Sequence, residues 1–189
     1  IPRFVSTVVV VSILMELLSP SSGVLNRVIQ QITGNPPVFY MNEAAYFRPL
    51  YILTDMWQYS GWSAIIYLAA ITGIDADMFE AARIDGASRT QMIWYITLPT
   101  IMPTIMVMFI LKVGHLLSLG FEKVLLMYTP SNSVVSDIID TYVYRMSIAA
   151  TAPQYSYATA IGLFSGVIGL ILVSSSNYLS RRLTGESIY

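Results

Sequence analysis

Two ionisable side chains share one apolar segment of this sequence, and their chemistry suits them to hold a charged solute. Lys112 and His115 are three residues apart, so a helix would place both on one face. Ionisable groups within a membrane-spanning helix are costly and usually face the bundle interior or water. We therefore predict that both line a solute pathway and favour an anionic solute. The alternative is a packing role, in which Lys112 pairs with a carboxylate on a neighbouring helix or in the missing N-terminal region.

Further pathway candidates combine aromatic and polar groups. Gln58 and Trp62 lie near the start of another apolar segment, where an aromatic ring can stack on a sugar and an amide can bond its hydroxyls. Trp and Tyr also anchor proteins at the bilayer interface, and anchoring is the role we expect for Trp57. Ser118 follows His115 by three residues and is expected to share its helix and face the pathway.

A second group of residues has the spacing of a docking element. It reads Glu-Ala-Ala, three residues, Gly, nine residues and Ile-x-Leu-Pro, and its members are Glu80, Ala81, Ala82, Gly86, Ile96, Leu98 and Pro99. The short alanine side chains would let a partner surface approach the backbone. An ordinary amphipathic loop between two membrane spans is the alternative.

The residues around this group predict a helix, a turn and a second helix. Asp77 is expected to cap a helix that starts at Met78, with Glu80 in the first turn, where a carboxylate complements the helix dipole. Gly86 would supply a turn in which positive φ costs little. Ser88 is expected to cap the second helix.

Composition places the chain among membrane proteins. It is 55% hydrophobic and 11% charged, with a mean hydropathy of +0.63, whereas soluble domains carry about 25% charged residues. A net charge of −1 argues against a nucleic-acid partner, which needs a basic face. The absence of cysteine excludes disulfides and thiolate metal sites, and a single histidine leaves little for a transition-metal site. We therefore predict no metal site and no catalytic residue.

Apolar segments predict an all-α membrane protein, a multi-pass bundle of about four spans. A bilayer core of roughly 30 Å needs about 20 helical residues. The segments are 4–18, 51–74, 92–119 and 157–178, of which the third is interrupted by Pro99 and Pro103. Short helices are expected near 24–32 and 134–146. Ala158, Gly162 and Gly166 have the four-residue spacing of a helix-packing seam.

Basic residues near helix ends set the expected orientation. Arg83, Arg89, Arg181 and Arg182 would lie on one side, which we assign as cytoplasmic. Segment 75–98 is then a cytoplasmic loop, and segments 19–50 and 120–156 are extracytoplasmic. The opposing basic residues belong mainly to the longer outer loops: Arg27, Arg48, Lys123 and Arg145. Because the sequence starts at Ile1 and runs at once into apolar residues, residues 1–189 are expected to be the C-terminal part of a longer protein whose N-terminal helices are missing.

The group from Glu80 to Pro99 resembles the cytoplasmic EAA loop of permease subunits of ATP-binding-cassette importers. This resemblance implies the type I importer permease fold, in which the loop forms a coupling helix seated in a cleft of the ATP-hydrolysing subunit. Carried over by position, the residues that dock or close the motif are Glu80, Ala81, Ala82, Asp85, Gly86, Ile96, Leu98 and Pro99.

Other segments resemble carbohydrate permeases related to the maltose system. Segments 142–145 (Tyr-Val-Tyr-Arg) and 155–160 (Tyr-Ser-Tyr-Ala-Thr-Ala) are similar to the outer loop and last helix of that family. Segments 57–62 and 121–123 are similar to the subgroup that takes up oligosaccharides such as aldouronates and alginate fragments. The resemblance implies import of an oligosaccharide, and an anionic one fits Lys112 and His115.

Energy for such import would come from another polypeptide. Lys112 and Lys123 follow Leu111 and Glu122, so neither ends a G-x-x-x-x-G-K-[ST] phosphate-binding loop. The chain is therefore expected not to be an enzyme and to hold no cofactor, with ATP-Mg bound by a partner ATPase.

The family resemblance implies a defined assembly. Its expected members are an ATPase dimer, a second homologous permease, an extracytoplasmic solute-binding protein and the carbohydrate, in the cytoplasmic (inner) membrane of a prokaryote. Transport would proceed by alternating access. The alternatives are a permease for another solute class, an ion-coupled secondary transporter, and a structural or signalling subunit.

Overall fold

The computed structural model describes residues 2–118 and 120–184, and this part of the chain contains helices and no β-strand. The all-α prediction is confirmed. A short 3₁₀ turn at Pro2–Phe4 is followed by α1 (Thr7–Leu17), α2 (Val24–Thr33), α3 (Ala44–Thr72), α4 (Ala76–Ile84), α5 (Arg89–Met92), a π-helical segment (Ile93–Thr97), α6 (Leu98–Gly114), α7 (Phe121–Met127), α8 (Ser133–Ser136), α9 (Ile139–Ser147) and α10 (Tyr155–Thr184).

The chain divides into two compact units, each described by itself. The first unit comprises Ile1–Gly61 and Ser118–Phe164, and the second comprises Trp62–Leu117 and Ser165–Tyr189. Helices α3 and α10 contribute residues to both.

A small apolar core holds the first unit together. It draws on α1, α3, α7 and the turn before α3, and its buried members are Val11, Leu18, Met41, Phe47, Val124 and Met127. The two segments expected to be extracytoplasmic, 19–50 and 120–156, therefore pack on a common core.

Buried Asn26 fixes the start of α2 against the end of α1. Its Nδ2 donates to the carbonyl oxygens of Leu18 at 3.0 Å and Val38 at 2.6 Å. Its Oδ1 accepts from the Val38 N–H at 3.2 Å. One amide thus satisfies three backbone groups that would otherwise be buried without partners.

Buried Asn132 plays the same part for the second outer segment. Its Nδ2 donates to the carbonyl oxygens of Met41 at 2.9 Å and Met127 at 3.0 Å. Its Oδ1 accepts from the Thr129 N–H at 3.0 Å. The bond to Met41 joins two parts of the chain that are 91 residues apart.

In the second unit, α6 and the later part of α10 approach closely. Ile101 and Ile110 are buried on α6. A Cβ added to Gly114 would lie 3.0 Å from the Cγ2 atom of Val173, so a larger residue at position 114 would push against α10.

Two helical stretches are long and apolar enough to cross a membrane, Arg89–Gly114 and Tyr155–Arg182. A third candidate is Ala44–Thr72 taken together with Ala76–Ile84, a pair bent by 67°. At about 1.5 Å per residue, the 11 residues of Thr7–Leu17 extend only about 16 Å, short of a bilayer core. The described residues therefore contain two or three helices of spanning length, fewer than the four predicted.

Several predicted boundaries are wrong. The helix of the third apolar segment ends at Gly114, whereas the segment was predicted to extend to residue 119. Pro103 does not interrupt this helix, which continues past it. The expected helix over 134–146 is two helices, because the backbone at Asp137 and Ile138 is extended. Among the described residues, none approaches within 4 Å of a Cβ added at Gly162 or Gly166, so the packing seam predicted there stays a prediction.

Gly120 is the turn glycine on which the first unit depends most. It has φ of +50°, and a Cβ added there would lie 2.5 Å from the hydroxyl oxygen of Tyr51. We expect Gly120→Ala to lower the free energy of unfolding by roughly 1–3 kcal/mol, through left-handed backbone strain and overpacking. Thermal unfolding of the purified protein in detergent measures this. Gly162→Ala, at an open helical position, is the control, and an equal effect of both would contradict the explanation.

Candidate functional site

The predicted docking segment begins with a capped helix, α4. Asp75, not Asp77, is the N-cap residue: its backbone is extended and its Oδ1 accepts from the Asp77 N–H at 3.0 Å. The helix therefore starts at Ala76, two residues earlier than predicted. Consequently Asp77 occupies the first turn, and Glu80 lies beyond it on an exposed part of the helix.

Gly86 ends α4 in a Schellman turn, as its position in the motif predicts. Its φ is +77°, and nothing lies within 4 Å of an added Cβ, so only the backbone conformation requires glycine. The Gly86 N–H donates to the Arg83 carbonyl at 3.0 Å, and the Ala87 N–H donates to the Ala82 carbonyl at 2.9 Å. The last carbonyls of α4 are thereby satisfied without a partner protein.

Ser88 caps the next helix, which confirms that prediction. The Ser88 Oγ accepts from the Gln91 N–H at 3.4 Å, and the Gln91 Oε1 accepts from the Ser88 N–H at 2.8 Å. This reciprocal pair is a capping box. Only Ala87 separates the Schellman glycine from this cap, so the angle between α4 and α5 is fixed by local hydrogen bonds.

The end of the motif adopts a π-helical turn. Ile93–Thr97 precede Pro99, and the Leu98 N–H donates to the Ile93 carbonyl, five residues back. Pro99 has no N–H to give to the carbonyl four residues before it, and the π turn lies where this bond is missing. The interruption predicted at Pro99 is therefore a change of helix type within a continuous helical stretch.

This docking segment presents apolar side chains outward. Ile84, the last residue of α4, is 87% exposed, and Met78 on the same helix is exposed as well. Glu80, Ala81, Asp85 and Gly86 are also exposed. Ile96 and Leu98 are half-buried, while Pro99 is exposed. Isolated apolar exposure is ordinary, but a capped and rigid helix with both apolar and acidic groups outward has the form of a docking element.

The predicted pathway residues lie at a helix end. Lys112 occupies the last turn of α6 and His115 caps it, both exposed. Ser118 lies beyond the helix, so the prediction that it shares the helix of His115 is wrong. Within residues 2–118 and 120–184, the Lys112 ammonium has no ion-pair partner. The packing alternative would therefore need a carboxylate from outside these residues.

Gln58 and Trp62 differ in their surroundings. Gln58 is buried in the first unit, where its Nε2 donates to the Val5 carbonyl at 3.2 Å. Its Oε1 has no hydrogen-bond partner among the described residues. Trp62, in the second unit, is exposed. In this chain Gln58 therefore connects α3 to the segment before α1.

A buried ion pair is the feature that sequence reasoning missed. Lys123 on α7 is almost fully buried, and its Nζ lies 3.1 Å from the Oδ1 of Asp55 on α3. Nζ also lies 5.6 Å from the ring centroid of Tyr51 and 5.4 Å from that of Tyr59. Carboxylate and aromatic faces together stabilise the desolvated ammonium. The four-residue spacing of Tyr51, Asp55 and Tyr59 on one helix face was the signal available in the sequence.

A second polar cluster braces α9. The Asp137 carboxylate accepts two hydrogen bonds from the Arg145 guanidinium and one from the Thr141 hydroxyl at 2.7 Å. The hydrogen bonds from Arg145, and to a smaller extent the bond from Thr141, hold the pKa of Asp137 below its usual value. Arg145 also lies over the Tyr128 ring, 5.2 Å from the centroid. Arg145 is therefore engaged within the first unit.

Two other features bear on ligands. Among the residues that the structure describes, no group of three or more His, Asp or Glu side chains could hold a metal ion. A cavity of about 280 Å³ in the second unit is lined by Ile105, Met106, Phe109, Ser176, Leu179 and Ser180. This lining is predominantly apolar and does not suit a polyhydroxylated solute.

Residues 1–185 match the protein family described as binding-protein-dependent transport system inner membrane component. The chain belongs to this family. Its members are membrane components of transport systems, and the resemblance to permeases of ATP-binding-cassette importers is confirmed.

Three similar proteins extend this finding. The polygalacturonan/rhamnogalacturonan transport system permease protein YteP of Bacillus subtilis (strain 168) is 47% identical over 189 residues, which are 100% of this chain and 58% of YteP. A bacterial alginate ABC transporter, solved in complex with an alginate pentasaccharide-bound periplasmic protein, matches with a TM-score of 0.93 and 40% identity over 100% of this chain and 64% of that one. A structure of an ABC transporter that imports the acidic polysaccharide alginate matches with a TM-score of 0.91 and 41% identity, over 97% of this chain and 63% of that one.

These similarities cover the chain fully and its relatives only in part. The chain spans less than two thirds of each relative's length. The likeness confirms the type I importer permease fold for this chain. The solute, the partners and the transport cycle are matters of the whole protein.

The unequal burial of the ion pair predicts an order of stabilities. The Asp55 side chain is 42% exposed and the Lys123 side chain 3%. Asp55→Asn leaves a buried ammonium without its counter-charge and should cost about 3–5 kcal/mol of unfolding free energy. Lys123→Met leaves a carboxylate that water can reach, so it should cost less. The double variant should recover part of the Asp55→Asn loss in thermal unfolding; additive losses would contradict a coupled pair.

Proposed function

We propose that this chain is part of the permease subunit of an ATP-driven importer that carries an oligosaccharide, preferably one with acidic groups, across the cytoplasmic membrane of a prokaryote. The observation that carries the proposal is the likeness to the alginate transporters over 97–100% of this chain, at 40% and 41% identity. YteP is named for polygalacturonan and rhamnogalacturonan, so two separate relatives point to polymers of acidic sugars.

In this proposal, α4 is the coupling helix. Its N-cap, Schellman turn and the following capping box give it a fixed shape before any partner binds. The exposed side chains of Met78, Glu80 and Ile84 would enter a cleft of the ATPase, and the small Ala81 would allow close approach. Movement of the cleft would then pass through α5 and the π-helical segment into α6, which are continuous with one another.

The chain would neither bind nor hydrolyse ATP. It has no phosphate-binding loop, so ATP-Mg would be bound by a separate ATPase dimer, and the chain itself would need no cofactor. A second, homologous permease and an extracytoplasmic solute-binding protein would complete the assembly. One of the alginate transporters was solved with such a periplasmic protein.

Alternating access would follow from these parts. ATPase closure would draw the coupling helices together and open the permease outward, so that the binding protein delivers sugar to the outer mouth. Hydrolysis would return it to the inward-facing state. Lys112 and His115, exposed at the end of α6, would face the pathway and attract the carboxylates of the solute.

Loss of the coupling helix should release the ATPase selectively. We expect Glu80→Arg combined with Gly86→Pro to remove the ATPase from the complex purified with its native neighbours, because proline cannot adopt the φ of +77°. The second permease should remain bound. Mass spectrometry of the purified complex is the measurement. Thr90→Arg, which adds an arginine at an exposed position that is not one of the motif's fixed residues, is the control. A wild-type complex without an ATPase would contradict the proposal and favour an ion-coupled transporter.

The charge at position 112 should matter for acidic solutes only. Lys112→Ala should lower uptake of uronate oligosaccharides roughly tenfold, the equivalent of one hydrogen bond to a charged group, and leave neutral oligosaccharides nearly unchanged. Lys112→Arg, which keeps the charge, should retain most uronate uptake. Uptake of both labelled sugars into proteoliposomes measures this. Equal losses for neutral and acidic sugars would show that Lys112 has a structural role instead.

A further inference from the structure

Helix α2 is amphipathic, and the one residue that it buries is the polar Asn26, while its aliphatic residues are exposed. At about 100° per residue, its aliphatic residues occupy one arc of about 140°. All of them are exposed to differing degrees: Val24, Leu25, Val28, Ile29 and Ile32. Ile32 is 79% exposed, whereas Asn26 on the other side is 2% exposed. A helix that served only the core of the first unit would have the reverse arrangement.

Specific contacts attach the side of α2 that carries Asn26 to the rest of the first unit. Asn26 donates to the carbonyls of Leu18 and Val38, and Gly23, the N-cap of α2, is buried. A Cβ at Gly23 would collide with the carbonyl oxygens of Leu17 and Ser19. The orientation of α2 is therefore fixed by close contacts, and the outward direction of the aliphatic face is a consequence of them.

These contacts also fix the position of α2 relative to the end of α1. Leu18 directly follows α1, whose apolar side chains Val8, Val9 and Ile13 are exposed. Near the same end, the Ser22 hydroxyl donates to the Glu16 carboxylate at 2.8 Å. In a member of a membrane family, the change from exposed apolar side chains on α1 to hydrogen-bonded polar groups after it is the pattern expected at a bilayer boundary. Asn26 holds α2 at that boundary.

We propose that α2 lies in the bilayer interface, with its aliphatic face inserted at the boundary between headgroups and acyl chains. The face carries neither aromatic nor charged residues, whereas anchors of protein interfaces are enriched in Trp, Tyr and Arg. Arg27 is exposed on the polar side, where its guanidinium donates to the Ser21 carbonyl at 3.4 Å and has further N–H groups to offer lipid phosphates. The 10 residues of α2 extend about 15 Å, enough to lie along the membrane surface and too short to cross it. The inference rests on membrane location, and it does not require a particular solute.

Site-directed spin labelling tests this placement. The chain has no cysteine, so Val28→Cys and Ile32→Cys would each introduce one labelling site in this segment, with any cysteine elsewhere in the full-length protein replaced. The labelled permease, assembled with its partner subunits, is placed in phosphatidylcholine–phosphatidylglycerol vesicles. Collision of the nitroxide with oxygen, which enters lipid, is compared with collision with a water-soluble nickel chelate. Gln30→Cys, exposed on the polar side, is the matched control.

The three environments give different results. Lipid contact predicts that oxygen collision exceeds nickel collision at positions 28 and 32, with the ratio reversed at position 30. Low collision with both reagents at positions 28 and 32 would place a protein surface on α2 and overturn the proposal. High nickel collision at all three positions would place α2 in water and overturn it too. The measurement needs no transport, so its failure is distinct from failure of the proposed function.

Discussion

Buried backbone groups must find hydrogen-bond partners inside the protein, and this constraint governs the first unit. Asn26 and Asn132 meet it by donating hydrogen bonds to buried backbone carbonyls. Asn132 joins positions 91 residues apart, and Asn26 joins the end of α1 to the loop after α2, so the bonds that satisfy the backbone also decide which loops touch. The apolar core then fills the space between segments that polar contacts have already aligned.

The docking segment follows a different rule, because its order is local. The Asp75 cap, the Schellman turn at Gly86 and the Ser88 capping box use only bonds between residues a few positions apart. A segment built this way keeps its shape whether or not a partner is bound. Such a shape is required of a part that transmits motion, since a segment that folded only on contact would absorb the movement instead of passing it on.

Local order also explains what could be predicted from the sequence. The helical character of the chain, the glycine turn at Gly86 and the cap at Ser88 follow from residues close together in the chain. The structure contains all three. The N-cap was assigned to Asp77 and not to Asp75, because two acidic residues with the same capping chemistry lie two positions apart. The pairing of Lys123 with Asp55 joins positions 68 residues apart, so the spacing of Tyr51, Asp55 and Tyr59 indicates a polar helix face but does not identify its partner. For that reason the sequence led us to predict a functional role for Lys112, which lies in an apolar run. Lys123 was placed in an extracytoplasmic loop with no role of its own.

The burial of Lys123 has a consequence for the chemistry of the chain's amines. Residues 1–189 contain two lysines, and folding separates them into one that is exposed and one whose ammonium is enclosed by Tyr51, Asp55 and Tyr59. An acylating reagent needs an accessible amine, and of these two lysines Lys112 is the exposed one. Modification of Lys123 therefore requires α7 to separate from α3. The acylation rate of Lys123 would therefore report how often the first unit opens, and the rate of Lys112 in the same molecule would serve as the internal standard.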